Sequence, residues 1–219
     1  MRASPGRWPS TVRCASGSTR IPGCWRGGGL GDDAEGLERF AAACVDALGG
    51  HVAVVKPQSA FFERHGSRGI AVLQKVLAGL GAQVVPGVPP TLSVLDVKRG
   101  DIGTTVDAYG EAFLGKDAPA AADAITLSPY LGYGSLRPAI DLAHATGRGV
   151  FVLALTSNPE GASVQHARGA DGRAVAGEHL GDAPIELRIV GTRLVDQLGI
   201  GIVARIGVEH TVAIGKDHQ

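Results

Sequence analysis

The chain has 219 residues, of which 44% are apolar and 19% charged, a composition that fits one globular domain and excludes a disordered chain. Lysine plus arginine equal aspartate plus glutamate at 21 each, which excludes a basic surface for nucleic acid and favours a small-molecule partner. No apolar run approaches the roughly 18 residues that cross a bilayer. The three cysteines are too scattered for a disulfide framework or a zinc site, so we expect a cytoplasmic protein without a membrane span or a metal.

From Gly31 onward, helical and strand patterns alternate. Apolar residues at helical spacing predict helices over residues 37–48, 69–80, 104–114 and 138–146. Asp32 or Asp33 is the expected cap of the first helix, and Gly49 with Gly50 ends it. Short apolar or β-branched runs predict strands over residues 51–55, 92–97, 124–127 and 149–155. This alternation is typical of βα units on a parallel sheet.

The predicted fold is an α/β (β/α)8 barrel, with an open doubly wound sheet as the alternative. A polar cluster follows each strand, on the side where both folds place their chemistry. No glycine-rich phosphate fingerprint follows the early strands, which favours the barrel.

The densest polar cluster runs from Asp96 to Asp101, at the exit of the predicted strand 92–97. Side chains alternate faces along a strand, so Asp96 and Lys98 should point the same way. Lys56 ends the preceding strand, and barrel topology would place it beside Asp96. In such an alternating Lys–Asp–Lys–Asp chain each carboxylate keeps its neighbouring ammonium protonated, which suits a lysine that protonates a carbanion. A plain surface salt bridge is the competing interpretation.

Four segments of the chain resemble the orotidine 5'-phosphate decarboxylase family, in its actinobacterial subgroup. They are Val54-Val55-Lys56-Pro57-Gln58 with Ala60-Phe61-Phe62-Glu63; Asp96-Val97-Lys98-Arg99-Gly100-Asp101-Ile102-Gly103; Ala122-Asp123-Ala124 through Ser128-Pro129-Tyr130-Leu131-Gly132; and Thr156-Ser157-Asn158-Pro159-Glu160-Gly161 followed by Gln165. The resemblance runs from about residue 31 to residue 177.

The resemblance implies cofactor-free decarboxylation of orotidine monophosphate to uridine monophosphate. Asp96 would face the substrate carboxylate, and Lys98 would donate a proton to C6 of the pyrimidine. Lys56 would orient Asp96 and contact the ribose. Charge would then develop on carbon in a dry pocket, where preorganised cations are most effective.

The family's homodimer forms part of what the resemblance implies. Asp101, with Ile102 and Thr105, would reach into the active site of the partner subunit. The loop after the fifth strand of the barrel would contribute further substrate-binding residues: Ser157, which would hydrogen-bond the pyrimidine amide edge, Pro159 and Gln165.

Two parts of the family pattern have no match in the chain. The first-strand motif Gly-Ile-Asp-Pro-His-Pro, whose Asp binds the ribose, is missing, and so are the Gly-Ala-Thr and Gln-containing glycine-rich loops that hold the phosphate. We therefore expect a barrel core over residues 31–177, a divergent segment of the same domain over residues 178–219, and residues 1–30 without resemblance. A barrel incomplete at both ends would bind phosphate and ribose poorly.

Residues 1–29 contain five arginines and no Asp, Glu or Lys. They lack the apolar stretch of a signal peptide, which leaves a transit peptide or a shifted reading frame. Back-translation of residues 14–25 with GC-rich codons, begun one nucleotide earlier, can read Leu-Arg-Leu-Gly-Ile-Asp-Pro-His-Pro-Gly-Leu-Leu. Because this string contains the missing motif, our hypothesis is a frameshift.

Two other functions compete with the decarboxylase. Sugar-phosphate synthases and decarboxylases of the same superfamily resemble D-x-K-x-x-D-x-G-x-x-E, with the final Glu on magnesium, and Val106 stands at that position here. The other alternative is a catalytically impaired, ligand-binding remnant of the decarboxylase.

Overall fold

The computed structural model describes residues 29–175 with the exception of residues 84, 89, 155, 157, 173 and 174. The proposed frameshift segment 14–25 and the divergent segment 178–219 lie outside the described residues. The helices are α1 (Ala34–Leu48), α2 (Ala60–Glu63), α3 (Gly66–Ala82), α4 (Gly103–Leu114), α5 (Arg137–Thr146) and α6 (Ala162–Gln165). The strands are β1 (Val54–Val55), β2 (Leu92–Arg99), β3 (Ala124–Leu127) and β4 (Gly149–Val152). Short 3₁₀ helices span Tyr133–Leu136 and Pro159–Gly161.

The four strands form one parallel sheet in the order β1-β2-β3-β4. Each strand pairs with its neighbour in the sequence, and at least one helix connects each strand to the next along the chain. A doubly wound sheet reverses its strand order at a switch point, whereas a (β/α)8 barrel adds each new strand beside the last. The fold is therefore α/β of the (β/α)8-barrel type, and the doubly wound alternative is excluded for the part of the chain that is described.

Local chemistry sets the helix boundaries close to where the sequence predicts them. The Asp33 carboxylate accepts from the backbone N–H of Gly36 at 2.8 Å and caps α1. The N–H of Gly49 donates to Val45 O at 2.8 Å and closes the same helix. At the end of α5, Gly147 takes the left-handed conformation with φ 73°, which favours glycine.

Two strands are shorter than predicted. The run 51–55 contributes only Val54–Val55, and the run 149–155 contributes Gly149–Val152. Before β1, the Thr91 hydroxyl accepts from the Gly50 N–H at 2.9 Å and donates to Val52 O at 2.7 Å, so a side chain satisfies backbone groups that a longer strand would pair.

The core lies between the helices and the face of the sheet that they cover. Its fully buried side chains include Leu37, Leu73, Leu80, Leu95, Val106, Leu114, Ile125, Leu127 and Leu136. Leu95 and Val97 on β2 belong to this core, and Asp96 between them therefore lies on the opposite face of the sheet. None of the described helices is long and apolar enough to span a bilayer.

Candidate active site

Asp96 is the centre of a charged network at the carboxyl end of β2. Its Oδ2 accepts from Lys56 Nζ at 2.6 Å, and its Oδ1 accepts from Lys98 Nζ at 2.5 Å and from Thr126 Oγ1 at 2.8 Å. The Asp96 side chain is only 7% exposed, against 28% for Lys56 and 45% for Lys98. An enclosed carboxylate is thus held between two ammonium groups that remain accessible to a ligand.

The loop after β1 brings Lys56 to this carboxylate. The backbone N–H of Asp96 donates to Pro57 O at 2.9 Å, and the N–H of Ser59 donates to Asp96 O at 3.2 Å. These bonds extend the pairing of β1 and β2 beyond the regular strand, as far as the bridge between Gln58 and Asp96. Lys56 is therefore fixed beside Asp96 by backbone contacts on the chain that follows it.

The backbone of β2 is irregular where the network forms. Leu95 pairs with Ile125, but the next pair along is Arg99 with Leu127, which marks a bulge over residues 96–98. Within the bulge, Lys98 has φ 46°, a left-handed conformation that no other non-glycine residue adopts in the described ranges. Such a conformation costs about 1–2 kcal/mol and persists where the surrounding structure enforces it, often at functional sites.

Electrostatics keep the central carboxylate ionised. Burial raises the pKa of Asp96, but the hydrogen bonds from Lys56, Lys98 and Thr126 outweigh burial, and the net pKa lies below its usual value. A permanent negative charge therefore stands between two potential proton donors at neutral pH.

A second ion pair lies next to the network and was not predicted from the sequence. Arg99 Nη2 contacts Glu63 Oε1 at 2.6 Å, and Ser59 Oγ donates to the same oxygen at 2.5 Å. The Arg99 guanidinium also lies 5.7 Å from the centre of the Tyr109 ring. These contacts tie the end of β2 to α2 and α4, directly after Lys98.

Asp101 lies apart from the three-residue network. Its Oδ1 accepts from the backbone N–H of Ile102 at 2.8 Å, and the hydrogen bonds of the described residues do not join it to Lys56, Asp96 or Lys98. Ile102 is 62% exposed and Thr105 is also exposed. The structure of one chain thus brings together three members of the predicted Lys–Asp–Lys–Asp chain, and their catalytic roles stay predictions.

The loop after β4 contains the remaining predicted residues. Ser157 lies outside the described residues. Gln165 folds back on the loop, because its Oε1 accepts from the Thr156 N–H at 2.8 Å and its Nε2 donates to Thr156 Oγ1 at 2.7 Å. Pro159 is exposed and begins a 3₁₀ helix. Gln165 therefore shapes this loop in the structure, and a direct contact of Pro159 or Gln165 with substrate stays a prediction.

Thr126 is the network residue that sequence reasoning missed. It lies in the apolar run of β3, and one hydroxyl in a strand gives no recognisable motif. Its bond to Asp96 places it in direct contact with the predicted catalytic group. Across the described part of the chain, no three His, Cys, Asp or Glu side chains come together as a metal site would require.

Comparison with known proteins gives a consistent result. The sequence family described as "Orotidine 5'-phosphate decarboxylase / HUMPS family" matches residues 33–206, which extends beyond the resemblance seen in the sequence, from about residue 31 to residue 177. An orotidine 5'-phosphate decarboxylase of Streptomyces coelicolor is 56% identical over 165 residues, covering 72% of this chain and 57% of that protein. One of Salinispora tropica is 54% identical over 186 residues, covering 85% of this chain and 64% of that protein.

Solved structures agree with the sequence relatives. A crystal structure assigned as an orotidine 5'-phosphate decarboxylase of Streptomyces avermitilis superposes with a TM-score of 0.68 at 60% identity, covering 72% of this chain and 53% of that one. The OMP decarboxylase of Leishmania donovani gives a TM-score of 0.53 at 34% identity, covering 67% of this chain and 53% of that one. The chain spans between half and two thirds of the length of these relatives.

Proposed function

The chain belongs to the orotidine 5'-phosphate decarboxylase / HUMPS family, and from this membership we propose that it converts orotidine monophosphate to uridine monophosphate and CO₂ without a cofactor. The observation that carries the proposal is the buried Asp96 carboxylate held between Lys56 and Lys98. The names of the similar proteins support the substrate.

The chemistry follows from the charges of the network. In the proposed reaction the Asp96 carboxylate faces the substrate carboxylate, and the repulsion between the two anions favours departure of CO₂. As the bond from C6 to the carboxylate carbon breaks, its electron pair stays on C6. The Lys98 ammonium stabilises that charge and transfers a proton to C6, and the resulting neutral amine regains a proton from water.

Lys56 has an orienting role in this scheme. It binds Oδ2 of Asp96 while Lys98 binds Oδ1, so each carboxylate oxygen has its own ammonium partner. A carboxylate held at both oxygens cannot rotate away from the substrate, and preorganisation of this kind lowers the cost of reaching the transition state. The accessible part of Lys56 would contact the ribose.

The proposal includes a homodimer in which Asp101, with Ile102 and Thr105, serves the partner's active site. Large apolar side chains are exposed at the ends of β2 and β3, namely Ile102, Tyr130 and Leu131, with exposed fractions of 62%, 79% and 53%. In the proposed dimer these exposed side chains would be covered at the interface. We also propose a cytoplasmic location, since scattered cysteines are typical of a reducing compartment.

Val106 separates this function from that of magnesium-dependent sugar-phosphate enzymes of the superfamily. It occupies the position of their metal-binding Glu, and in the structure it lies on α4 with its side chain fully buried in the core. A buried valine provides no oxygen ligand for Mg²⁺. The geometry therefore favours the decarboxylase.

The experiment compares CO₂ release from orotidine monophosphate by the unmodified chain, Lys98→Ala and Lys75→Ala. Lys75 is a matched control, because it is an exposed lysine on α3 whose ion pair is with Glu38 on α1 and not with a residue of the network. We expect Lys98→Ala to lose about 10²–10⁴-fold in kcat, as for removal of a general acid, and Lys75→Ala to keep its turnover.

Two results would contradict the proposal. Comparable loss in both variants would mean that the effect is not specific to the network, and full turnover of Lys98→Ala would exclude Lys98 as the proton donor. Titration with uridine monophosphate tests the remnant alternative: a folded chain that binds this product without releasing CO₂ from the substrate is a binding remnant.

A further inference from the structure

Thr126 links the two groups that the proposed reaction needs. Its hydroxyl is buried with the residue only 8% exposed, and a hydroxyl has one hydrogen to donate and lone pairs to accept. An ionised carboxylate can only accept and a backbone N–H can only donate. The hydroxyl therefore donates to Asp96 Oδ1 at 2.8 Å and accepts from the Lys98 N–H at 2.9 Å, and both directions are fixed.

The bulge in β2 explains why this hydroxyl matters. Between the pairs Leu95–Ile125 and Arg99–Leu127, residues 96–98 of β2 lie opposite Thr126 alone. The Thr126 side chain takes the Lys98 N–H at this interruption of the backbone ladder. Lys98 also has φ 46°, so its backbone would return to an extended conformation without restraints. The hydroxyl is one such restraint, and β-branching limits its own rotation.

We propose that Thr126 is a positioning residue, which holds the backbone of Lys98 in the bulge and the carboxylate of Asp96 in one orientation, so that the Lys98 ammonium stays on Oδ1. This inference deepens the proposed decarboxylase function and rests on it. Thr126 acts through Lys98 and Asp96 rather than on the substrate. Its loss should therefore lower the rate of the chemical step and leave substrate binding nearly unchanged.

The test uses Thr126→Val, Thr126→Ser and a matched control. Valine keeps the shape and removes the hydroxyl, whereas serine keeps the hydroxyl. Thr91→Val is the control, because Thr91 is also buried and its hydroxyl also accepts from a backbone N–H while it donates to backbone carbonyls, but at the amino end of β2. Steady-state kinetics with orotidine monophosphate, melting temperature and amide hydrogen exchange of Lys98 are measured for each.

We expect Thr126→Val to lower kcat about 10- to 100-fold with little change in KM, as for a lost hydrogen bond to a charged group. Thr126→Ser should keep most of the wild-type kcat. Thr91→Val should melt at a lower temperature and keep its kcat. Should Thr126→Val fail to fold, Thr126→Cys replaces it with the same expectation, because a thiol is a weak donor and acceptor.

Full kcat in Thr126→Val, loss of kcat in Thr126→Ser, or an equal loss in Thr91→Val would overturn the inference. Failure of the proposed function is distinguishable, because it appears as a folded wild-type chain that releases no CO₂. Amide exchange then decides the positioning role by itself. We expect the Lys98 N–H to exchange faster in Thr126→Val than in wild type or Thr126→Ser, and equal protection in all three would overturn the inference.

Discussion

Lys98 combines a proposed role as proton donor with a left-handed backbone conformation, and two substitutions separate these properties. Lys98→Ala and Lys98→Gly both remove the ammonium group, so both should lose decarboxylation. They differ at the β-carbon, because alanine keeps the steric conflict of the left-handed conformation at φ 46° and glycine does not. We therefore expect the glycine variant to be the more stable of two inactive proteins.

The magnitude follows from the structure. A β-carbon in the left-handed region costs about 1–2 kcal/mol, and glycine loses about 0.5–1 kcal/mol more chain entropy on folding than alanine. The ion pair between Lys98 and Asp96 is lost in both variants and cancels from the comparison. The central values of these two ranges give a net difference of about 0.75 kcal/mol in favour of Lys98→Gly, or about 2–3 °C in melting temperature for a chain of this length.

Urea unfolding and thermal melting measure the difference, and Lys75 supplies the control. Lys75 lies inside the regular helix α3, where glycine is less stable than alanine by about 1 kcal/mol. The order of stability should thus be glycine above alanine at residue 98 and alanine above glycine at residue 75. Alanine more stable than glycine at residue 98 as well as at residue 75 would show that the Lys98 backbone is not strained. Turnover by Lys98→Gly would refute the proposed role of Lys98 as proton donor.

Two further predictions concern the partner subunit and acid stability. Inactive Lys98→Ala chains mixed with inactive Asp101→Ala chains should regain CO₂ release, since one site of each mixed dimer escapes both lesions; no recovery after proven subunit exchange would assign Asp101 to its own chain's site. The pKa of Asp96 is lower in the folded protein than in the unfolded chain, so its ion pairs stabilise the fold above about pH 4 and this stabilisation is lost as the pH falls through the lowered pKa. Asp96→Asn should remove that acid-dependent part of the free energy of unfolding, measured in urea between neutral and low pH, and an unchanged pH dependence would contradict the assignment.

The long elements of the fold could be predicted because each carries its own local signal. The helix predicted over residues 69–80 appears as Gly66–Ala82, and its apolar face, with Leu73, Val76 and Leu80, is buried in the core. The single turn of α2, Ala60–Glu63, was missed because four residues are too few to show a helical period. Short segments, and segments whose backbone groups bond to a distant side chain, depend on tertiary contacts, and a local sequence pattern does not contain these contacts.

The candidate site shows a subtler limit of sequence reasoning. Regular alternation along a strand predicts that Asp96 and Lys98 share a face, and the structure does bring their charged groups within 2.5 Å. It does so through a bulge and a left-handed Lys98 instead of a regular strand. The spacing D-x-K is compatible with both geometries, so the sequence identifies the partners but not the backbone that joins them. The sequence did not predict Thr126 for the same reason, because its contacts with Asp96 and Lys98 form only beside the bulge.

The packing around the bulge offsets the strain at Lys98. Leu95 precedes it and Ile125 lies beside it on β3, and both side chains are fully buried. Burial of one such side chain contributes about 1.5–3 kcal/mol, which offsets the cost of about 1–2 kcal/mol for the left-handed residue. After the bulge, the ion pair between Arg99 and Glu63 fixes the exit of the strand. The contacts at both ends of residues 96–98 and the bond from the Lys98 N–H to Thr126 together restrain the irregular segment, and in this geometry the Lys98 ammonium lies on the Asp96 carboxylate without substrate.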